Sequence, residues 1–398
     1  MGETTDGDPT RRLPRRLVER VERNPFPVIV ALSLLAIYVR APDAFHSPNF
    51  WAEDGVTFFR EWQEYGARSI LEPYNGYLHL VPRLIAALAG VAPLEYTILI
   101  FFGSSLVLAL WTSVTVYLNS PRQSVRYPLY LLPFLALSAT EVLASPTNLQ
   151  WVLATGLIVV LLNDRRQSTP VLINNLVFVA MSGLTGPFVL FALCAAAGTM
   201  ALTRTLPKPQ RRWLLAAAAA TSLVQALFVM EHYAPSGGSA GLVKTYAAFF
   251  AILRKSMGGS VEAIVISLTV LVGVVLGQGR RFRIGLLLFG AILILATAIR
   301  FSVDDDVFSN GISERYRYVP SVMWLMILVA MAFDTSRRLL RALAAICLIL
   351  YVAALVDGKL VRNPRVALDD WGETVRAARV HPVHYTFPPG WKVVVKDR

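Results

Sequence analysis

Long stretches without charge, separated by short knots of arginine, leave this chain few ways to fold. Leu286 to Ala298 is such a run, and Leu339 to Val356 carries a single charge, Arg341, near its start; both are otherwise apolar around the whole helix circumference. Charged residues make up 16% of the 398 residues and hydrophobic ones 55%; a soluble domain carries about 25% charged residues. The charges that remain gather between the apolar runs, which is the pattern of membrane spans joined by loops. In hydrocarbon only helices and closed barrels satisfy every backbone group. Barrel strands alternate polar and apolar with period two, and these runs do not alternate. The expected class is an all-α integral membrane protein.

The formal net charge of +12 would suggest nucleic acid in a soluble protein. Here the basic residues border apolar spans, so membrane orientation accounts for them and no nucleic-acid partner is expected. Residues 1–25 form a basic tail holding Arg11, Arg12, Arg15, Arg16, Arg20 and Arg23, and the positive-inside bias places it in the cytoplasm. The first apolar run, Val28 to Val39, lacks a small-residue cleavage site and reads as a retained span rather than a signal peptide. Basic clusters recur at Arg122/Arg126, Arg165/Arg166, Arg204 to Arg212, Arg280 to Arg283 and Arg337 to Arg341. Putting all of them on the cytoplasmic side yields about eleven transmembrane helices, with 11–13 the range, over residues 26–356. They are expected near 26–41, 95–118, 128–143, 149–163, 170–183, 187–203, 212–230, 260–278, 282–300, 318–334 and 339–356. The loops at 41–76, 141–149, 183–187, 231–259 and 300–318 then lie outside, as does a small C-terminal tail, 357–398, which is expected to cap them. Leu78 to Ala92 is apolar but short and opens with His79, Pro82 and Arg83. If it spanned, every later basic loop would flip outward, so it reads as re-entrant or interfacial. Cys194 and Cys347 fall in separate apolar segments and read as buried packing residues. The expected location is the cell membrane, with the N-terminus cytoplasmic and the C-terminus outside.

The first outer loop carries the most chemical information. Glu53 and Asp54 stand side by side among Phe50, Trp51, Phe58 and Phe59. Neighbouring side chains diverge by about 100° on a helix and 180° on a strand, so one can face a site while the other orients a neighbour or binds a metal. A solvated turn at Gly55 is the plainer alternative. Next, Tyr74, Tyr77, His79 and Arg83 enter the membrane region together; titratable groups at that depth are costly and commonly serve a site, although Arg83 can snorkel and His79 can cap a helix. Asn148, Gln150 and Trp151 open another helix, where their polar groups suit sugar hydroxyls or helix capping. In the last large outer loop Arg300, Arg315 and Arg317, with Tyr316, run against the positive-inside bias. Their planar forks match phosphate oxygens, and Asp304 to Asp306 with Glu314 are the alternative partners. Lys244, Arg254 and Lys255 add outer positive charge. A divalent metal, magnesium or manganese, is compatible with the acidic pair, but no spacing specifies its ligands. No P-loop, dinucleotide fingerprint, HExxH zinc helix or GxSxG elbow is present.

The chain resembles the GT-C class of membrane glycosyltransferases. The likeness rests on Glu53-Asp54 in the first outer loop, the Tyr77-Leu78-His79-Leu80-Val81-Pro82-Arg83 segment, and Arg315-Tyr316 before a late span. Gly183-Leu184-Thr185-Gly186-Pro187 and Pro388-Pro389-Gly390-Trp391 resemble bacterial members. The resemblance implies a GT-C-like fold and transfer of a sugar from a polyprenyl-phosphate donor to an extracytoplasmic glycan, lipid or protein, with inversion. On that reading Asp54 is the base, with Glu53 as second choice or metal ligand. His79, Arg83, Arg300, Arg315, Tyr316 and Arg317 serve the phosphate, and Tyr74, Tyr77, Asn148, Gln150 and Trp151 the sugar or acceptor. The small tail departs from members with a large soluble domain, which leaves the acceptor open. A flippase or transporter, a surface-polysaccharide polymerase or ligase, and a purely structural membrane protein are the competing functions. A flippase should carry polar groups along several spans, whereas the interiors of 282–300 and 339–356 are nearly pure apolar.

Overall fold

The computed structural model describes residues 24–232, 242–276, 280–301, 313–357, 360, 361, 365 and 369–396. The basic tail up to residue 23 and the aspartates 304–306 lie outside the described residues. The chain opens with α1 (Phe26–Arg40) and α2 (Pro42–His46), then a π-helical turn (Asp54–Phe59) running into α3 (Arg60–Tyr65). A hairpin of β1 (Pro73–Tyr74) and β2 (Tyr77–Leu78) leads into α4 (Leu80–Val91). After it come α5 (Thr97–Asn119), α6 (Gln123–Leu129), α7 (Leu132–Leu135), α8 (Leu149–Leu162), α9 (Thr169–Gly183), α10 (Phe188–Thr203) and α11 (Pro209–His232). The second half holds α12 (Leu242–Ser256), α13 (Ser260–Leu276), α14 (Arg280–Phe301), α15 (Arg315–Asp334) and α16 (Arg338–Val356). It closes with α17 (Trp371–Ala378) and an antiparallel hairpin of β3 (Val383–Phe387) and β4 (Trp391–Val395).

Among the described residues five helices are long and apolar enough to cross a membrane: α5, α11, α14, α15 and α16. The pair α12–α13 makes a sixth if its two parts, bent by 89°, form one broken span. These helices point to a multi-pass membrane protein. Apolar helices α1, α4, α8, α9 and α10 are shorter. Two helices are buried on every side: all of α8, and α15 from Tyr318 to Met331. A helix hydrophobic all round belongs inside a bundle, and the others pack around these two. Cys347 is buried as expected and touches Thr269, whereas Cys194 is exposed on the outer face of α10.

Two expectations are corrected. The segment 128–143 is not one helix. It breaks into α6 and α7 and continues as turns to Ser145. Pro128 and Pro133 remove helix donors there. The freed backbone groups find side chains instead: Tyr318 donates to the Pro133 carbonyl (2.7 Å), Arg40 donates to the Ala136 carbonyl (2.7 Å), and the Leu137 N–H donates to Tyr351 Oη (2.8 Å). Irregular backbone buried inside a bundle is tolerated only where other groups satisfy it. The second correction concerns 231–259, expected as a loop. Residues 242–256 form a helix, which turns into α13 at Gly258, whose φ of +110° suits glycine.

The C-terminal segment packs onto the first loop. Phe50 is ringed by Phe101, Trp371, Tyr385 and Phe387 at centroid distances of 5.0 to 6.2 Å. The Ala52 N–H donates to the Pro388 carbonyl (3.1 Å), and Phe387 lies so close to Gly55 that a Cβ there would sit 2.5 Å from the ring.

Tyr351 supplies the acceptor for a buried N–H that no helix satisfies. Tyr351→Phe should therefore cost about 1–3 kcal/mol, the penalty of an orphaned buried donor. The check is the unfolding midpoint of the detergent-purified protein, and an unchanged midpoint would refute the role given to this hydroxyl.

Candidate functional site

The site is built from three pieces of chain that meet at the first turn of α15. The first is the loop before the π-helical turn. Here Asp54 is fully engaged. Its Oδ1 accepts from the Thr147 N–H (2.9 Å) and hydroxyl (2.5 Å), and its Oδ2 accepts from the Trp51 N–H (3.2 Å) and the Ser145 hydroxyl (3.4 Å). These bonds clasp the first loop to the segment before α8. The Thr147 hydroxyl is committed to this clasp, and neither it nor Asn148 caps α8 through its side chain.

With Asp54 turned one way, Glu53 points the other. Its Oε1 accepts from the Tyr74 hydroxyl (3.1 Å) and lies 3.7 Å from Arg315 Nη1, while Oε2 is buried without a hydrogen-bond partner among the described residues. Arg315 is held on its other side by Glu141, whose Oε1 is 3.8 Å from Nε. Glu141 Oε2 in turn accepts from the Ser313 hydroxyl (2.5 Å) and the Arg315 N–H (3.1 Å). The guanidinium therefore sits between two carboxylates and over the Tyr316 ring, with a quarter of its side chain exposed.

The β1–β2 hairpin is the second piece. Asn75 and Gly76 both have positive φ, which a two-residue turn of this hand requires. The hairpin presents Tyr74 and Tyr77 on either side of His79, with ring centroids 5.4 and 4.6 Å from the imidazole. Burial, helped by the charge of Arg83, pushes the His79 pKa down to about 3, so the ring is neutral at ordinary pH. Neither ring nitrogen has a described hydrogen-bond partner. Burial and the Glu53 charge raise the pKa of the Tyr74 phenol, keeping it a donor. Gln225, in the middle of α11, pins the hairpin: its amide accepts from the Leu78 N–H (3.0 Å) and donates to the Leu78 and Gly183 carbonyls (3.0 and 3.1 Å).

The start of α8 is the third piece. Gln150 lies against Tyr77, and its Oε1 is buried without a hydrogen-bond partner among the described residues. A Cβ at Gly186, where φ is +98°, would meet that oxygen at 2.3 Å, so the position needs glycine twice over. Trp151 packs edge-on against Tyr316 (5.4 Å) and Phe188 (4.6 Å). Glu53, Tyr74, Tyr77, His79, Gln150, Trp151, Arg315 and Tyr316 thus share one place.

The other expected residues do not join them. Arg83 is buried in an ion pair with Glu61 (2.6 Å) and lies over Phe58. Arg317 faces Glu314 and Glu141, and Arg300 is exposed at the end of α14. Asn148 donates to the Glu141 carbonyl (3.1 Å). Arg315 pairs with Glu53, whereas Asp54 faces Thr147. Reading by residue type missed Glu141, Ser145, Thr147 and Gln225. Of these only Gln225 carries a signal, as a lone amide in a long apolar helix. Among the described residues no group of three or more His, Cys, Asp or Glu is arranged to hold a metal. The carboxylates of Glu53 and Asp54 diverge, and Arg315 occupies the space between Glu53 and Glu141, so these side chains do not form a cation site.

Comparison with family models, with curated proteins and with solved structures finds no match.

Burial pushes the Asp54 carboxyl from 3.8 up to about 7, against the pull of the Thr147 and Trp51 donors. A raised pKa means the folded chain holds a proton that the unfolded chain releases. This group's stabilisation is complete below 3.8 and is lost as pH climbs through about 7. The thermal midpoint in detergent should fall across that window, and Asp54→Asn, which keeps the shape without the titration, should flatten the fall. An identical pH profile in the variant would show that Asp54 does not control it.

Proposed function

We propose that the chain is a membrane glycosyltransferase of the GT-C kind, moving a sugar from a polyprenyl-phosphate donor to an acceptor on the extracytoplasmic side. The observation that carries this reading is Glu53, one oxygen unpartnered, set beside a partly exposed arginine and a cluster of aromatic and amide side chains. A sugar on polyprenyl phosphate already has a good leaving group. What remains is to take the acceptor's proton and to hold the departing phosphate.

Glu53 takes the first role and replaces Asp54 as the base, because every Asp54 oxygen is already committed to the clasp. The acceptor oxygen attacks the anomeric carbon while its proton passes to Glu53. The bond from that carbon to the phosphate oxygen breaks, and the anomeric configuration inverts. Arg315 places fixed positive charge where negative charge grows on the phosphate. Neutral His79 contributes an N–H donor and no charge. Tyr74, Tyr77, Gln150 and Trp151 flank the sugar. Glu141 keeps Arg315 aimed, and Asp54 keeps Glu53 aimed.

For topology the proposal is a cytoplasmic N-terminus, the shorter apolar helices entering the bilayer beside the long ones, and α4 re-entrant. Two features support it. Arg122, Asp164, Arg280 to Arg283 and Asp334 gather around one cavity. Arg315 and Asp334 lie at opposite ends of α15, whose 20 residues put them about 30 Å apart.

The test is an in vitro transfer assay over a panel of polyprenyl-phosphate sugars. Glu53→Gln should lower turnover by about 10²–10⁴-fold while donor binding persists. Asp54→Asn should retain more activity than Glu53→Gln. Full transfer by Glu53→Gln would remove the base assignment. Transport of an intact lipid-linked glycan across proteoliposomes, with no transfer, would favour a flippase.

A further inference from the structure

A second charged centre lies at the far end of α15 from Arg315. A cavity of about 310 Å³ opens there between the start of α14, the loop after α5, and the ends of α8 and α15. Four arginines line it, Arg122, Arg280, Arg281 and Arg283, against two aspartates, Asp164 and Asp334. The aspartates are already taken. Asp334 pairs with Arg122, and Asp164 lies 3.2 Å from Arg281 Nη1. Two further nitrogens of Arg281, Nε and Nη2, are buried with no hydrogen-bond partner among the described residues.

Arg283 is the decisive residue. It is 1% exposed, and Nε, Nη1 and Nη2 all lack a hydrogen-bond partner among the described residues. A buried guanidinium with all three nitrogens idle is among the costliest arrangements a protein can hold. It sits in the first turn of α14, where the helix dipole adds positive potential. The positive-inside bias would collect arginines at this end, but it does not require one to be buried without a hydrogen bond, offset only by the charge of Asp334, which already pairs with Arg122. An anion in the cavity resolves that cost. Guanidinium forks fit the tetrahedral oxygens of phosphate, and the volume suits a headgroup-sized ligand.

We infer that this cavity is a binding site for a phosphate group, held chiefly by Arg283 with Arg281 and Arg280. The phosphate belongs either to an anionic phospholipid headgroup or to a soluble phosphate. The site is separate from Glu53 and Arg315, and the inference does not rest on the transferase reading.

The experiment measures unfolding midpoints of the full-length, detergent-purified protein with inorganic phosphate, with phosphatidylglycerol micelles, and with phosphatidylcholine and chloride as controls at matched ionic strength. A rise with phosphate assigns a soluble ligand. A rise with phosphatidylglycerol alone assigns a lipid headgroup. Arg283→Met should abolish the rise and should also raise the ligand-free midpoint, because it removes an unpartnered buried charge. A merely structural arginine would lower it. Arg280→Gln, at an exposed position, should weaken the rise without disturbing the fold, and it carries the test if Arg283→Met is not obtained folded. Equal midpoints in phosphate, phosphatidylglycerol and the controls overturn the proposal. A rise undiminished in these variants does the same.

Discussion

The clasp between Asp54 and the Ser145–Thr147 segment is the constraint on which the rest of the candidate site depends. It joins two pieces of chain 93 residues apart in sequence through a carboxylate with four donors around it. Because adjacent side chains diverge, holding Asp54 against Thr147 sends Glu53 toward Tyr74 and Arg315. The same clasp fixes the approach to α8, and with it Gln150 and Trp151. Burial works against the charge of Asp54 while the donors favour it, so the clasp is a titratable joint between the first loop and the segment before α8.

That joint needs the broken segment before it. A continuous helix over 128–143 would carry Glu141 and Thr147 elsewhere. Prolines interrupt it, and Tyr318, Tyr351 and Arg40 supply the hydrogen bonds that the interrupted backbone loses. Those side chains come from α15, α16 and α1, so three apolar helices are tied to the break by their few polar groups. In a bundle where apolar packing is much the same in every register, such buried polar contacts select one arrangement. Gln225 does the same for the hairpin that carries Tyr74 and Tyr77.

Apolar runs interrupted by arginine clusters made the long helices legible, since period and length leave no other secondary structure. The site was legible in part for a related reason: a glutamate, a histidine, tyrosines and an arginine at the margins of apolar runs are expensive unless they meet, and Glu53, His79, Tyr77 and Arg315 do meet. Which of Glu53 and Asp54 faces Arg315 was not legible, because it turns on which neighbour reaches Thr147. Glu141 looked like any loop carboxylate until Arg315 came beside it. The helix 242–256 was hidden by Lys244, Arg254 and Lys255, which suit a loop as well as a polar helix face. Arg283 read as an orientation signal. Its burial depends on how α14 meets α8 and α15, which no local pattern encodes.

The two charged centres can be varied independently, and α15 explains why. Between Arg315 and Asp334 the helix is buried and uncharged from Tyr318 to Met331. Across about 30 Å, two unit charges interact by roughly half a kcal/mol at an effective dielectric constant of about 20. Direct electrostatic communication between the ends is therefore weak. Any influence of an anion at Arg283 on the Glu53–Arg315 pair has to travel as displacement of a helix packed on α6, α8, α12, α14 and α16. Such packing resists small displacements, so the anion cavity stabilises its own end of the bundle and leaves the geometry around Glu53 as it is.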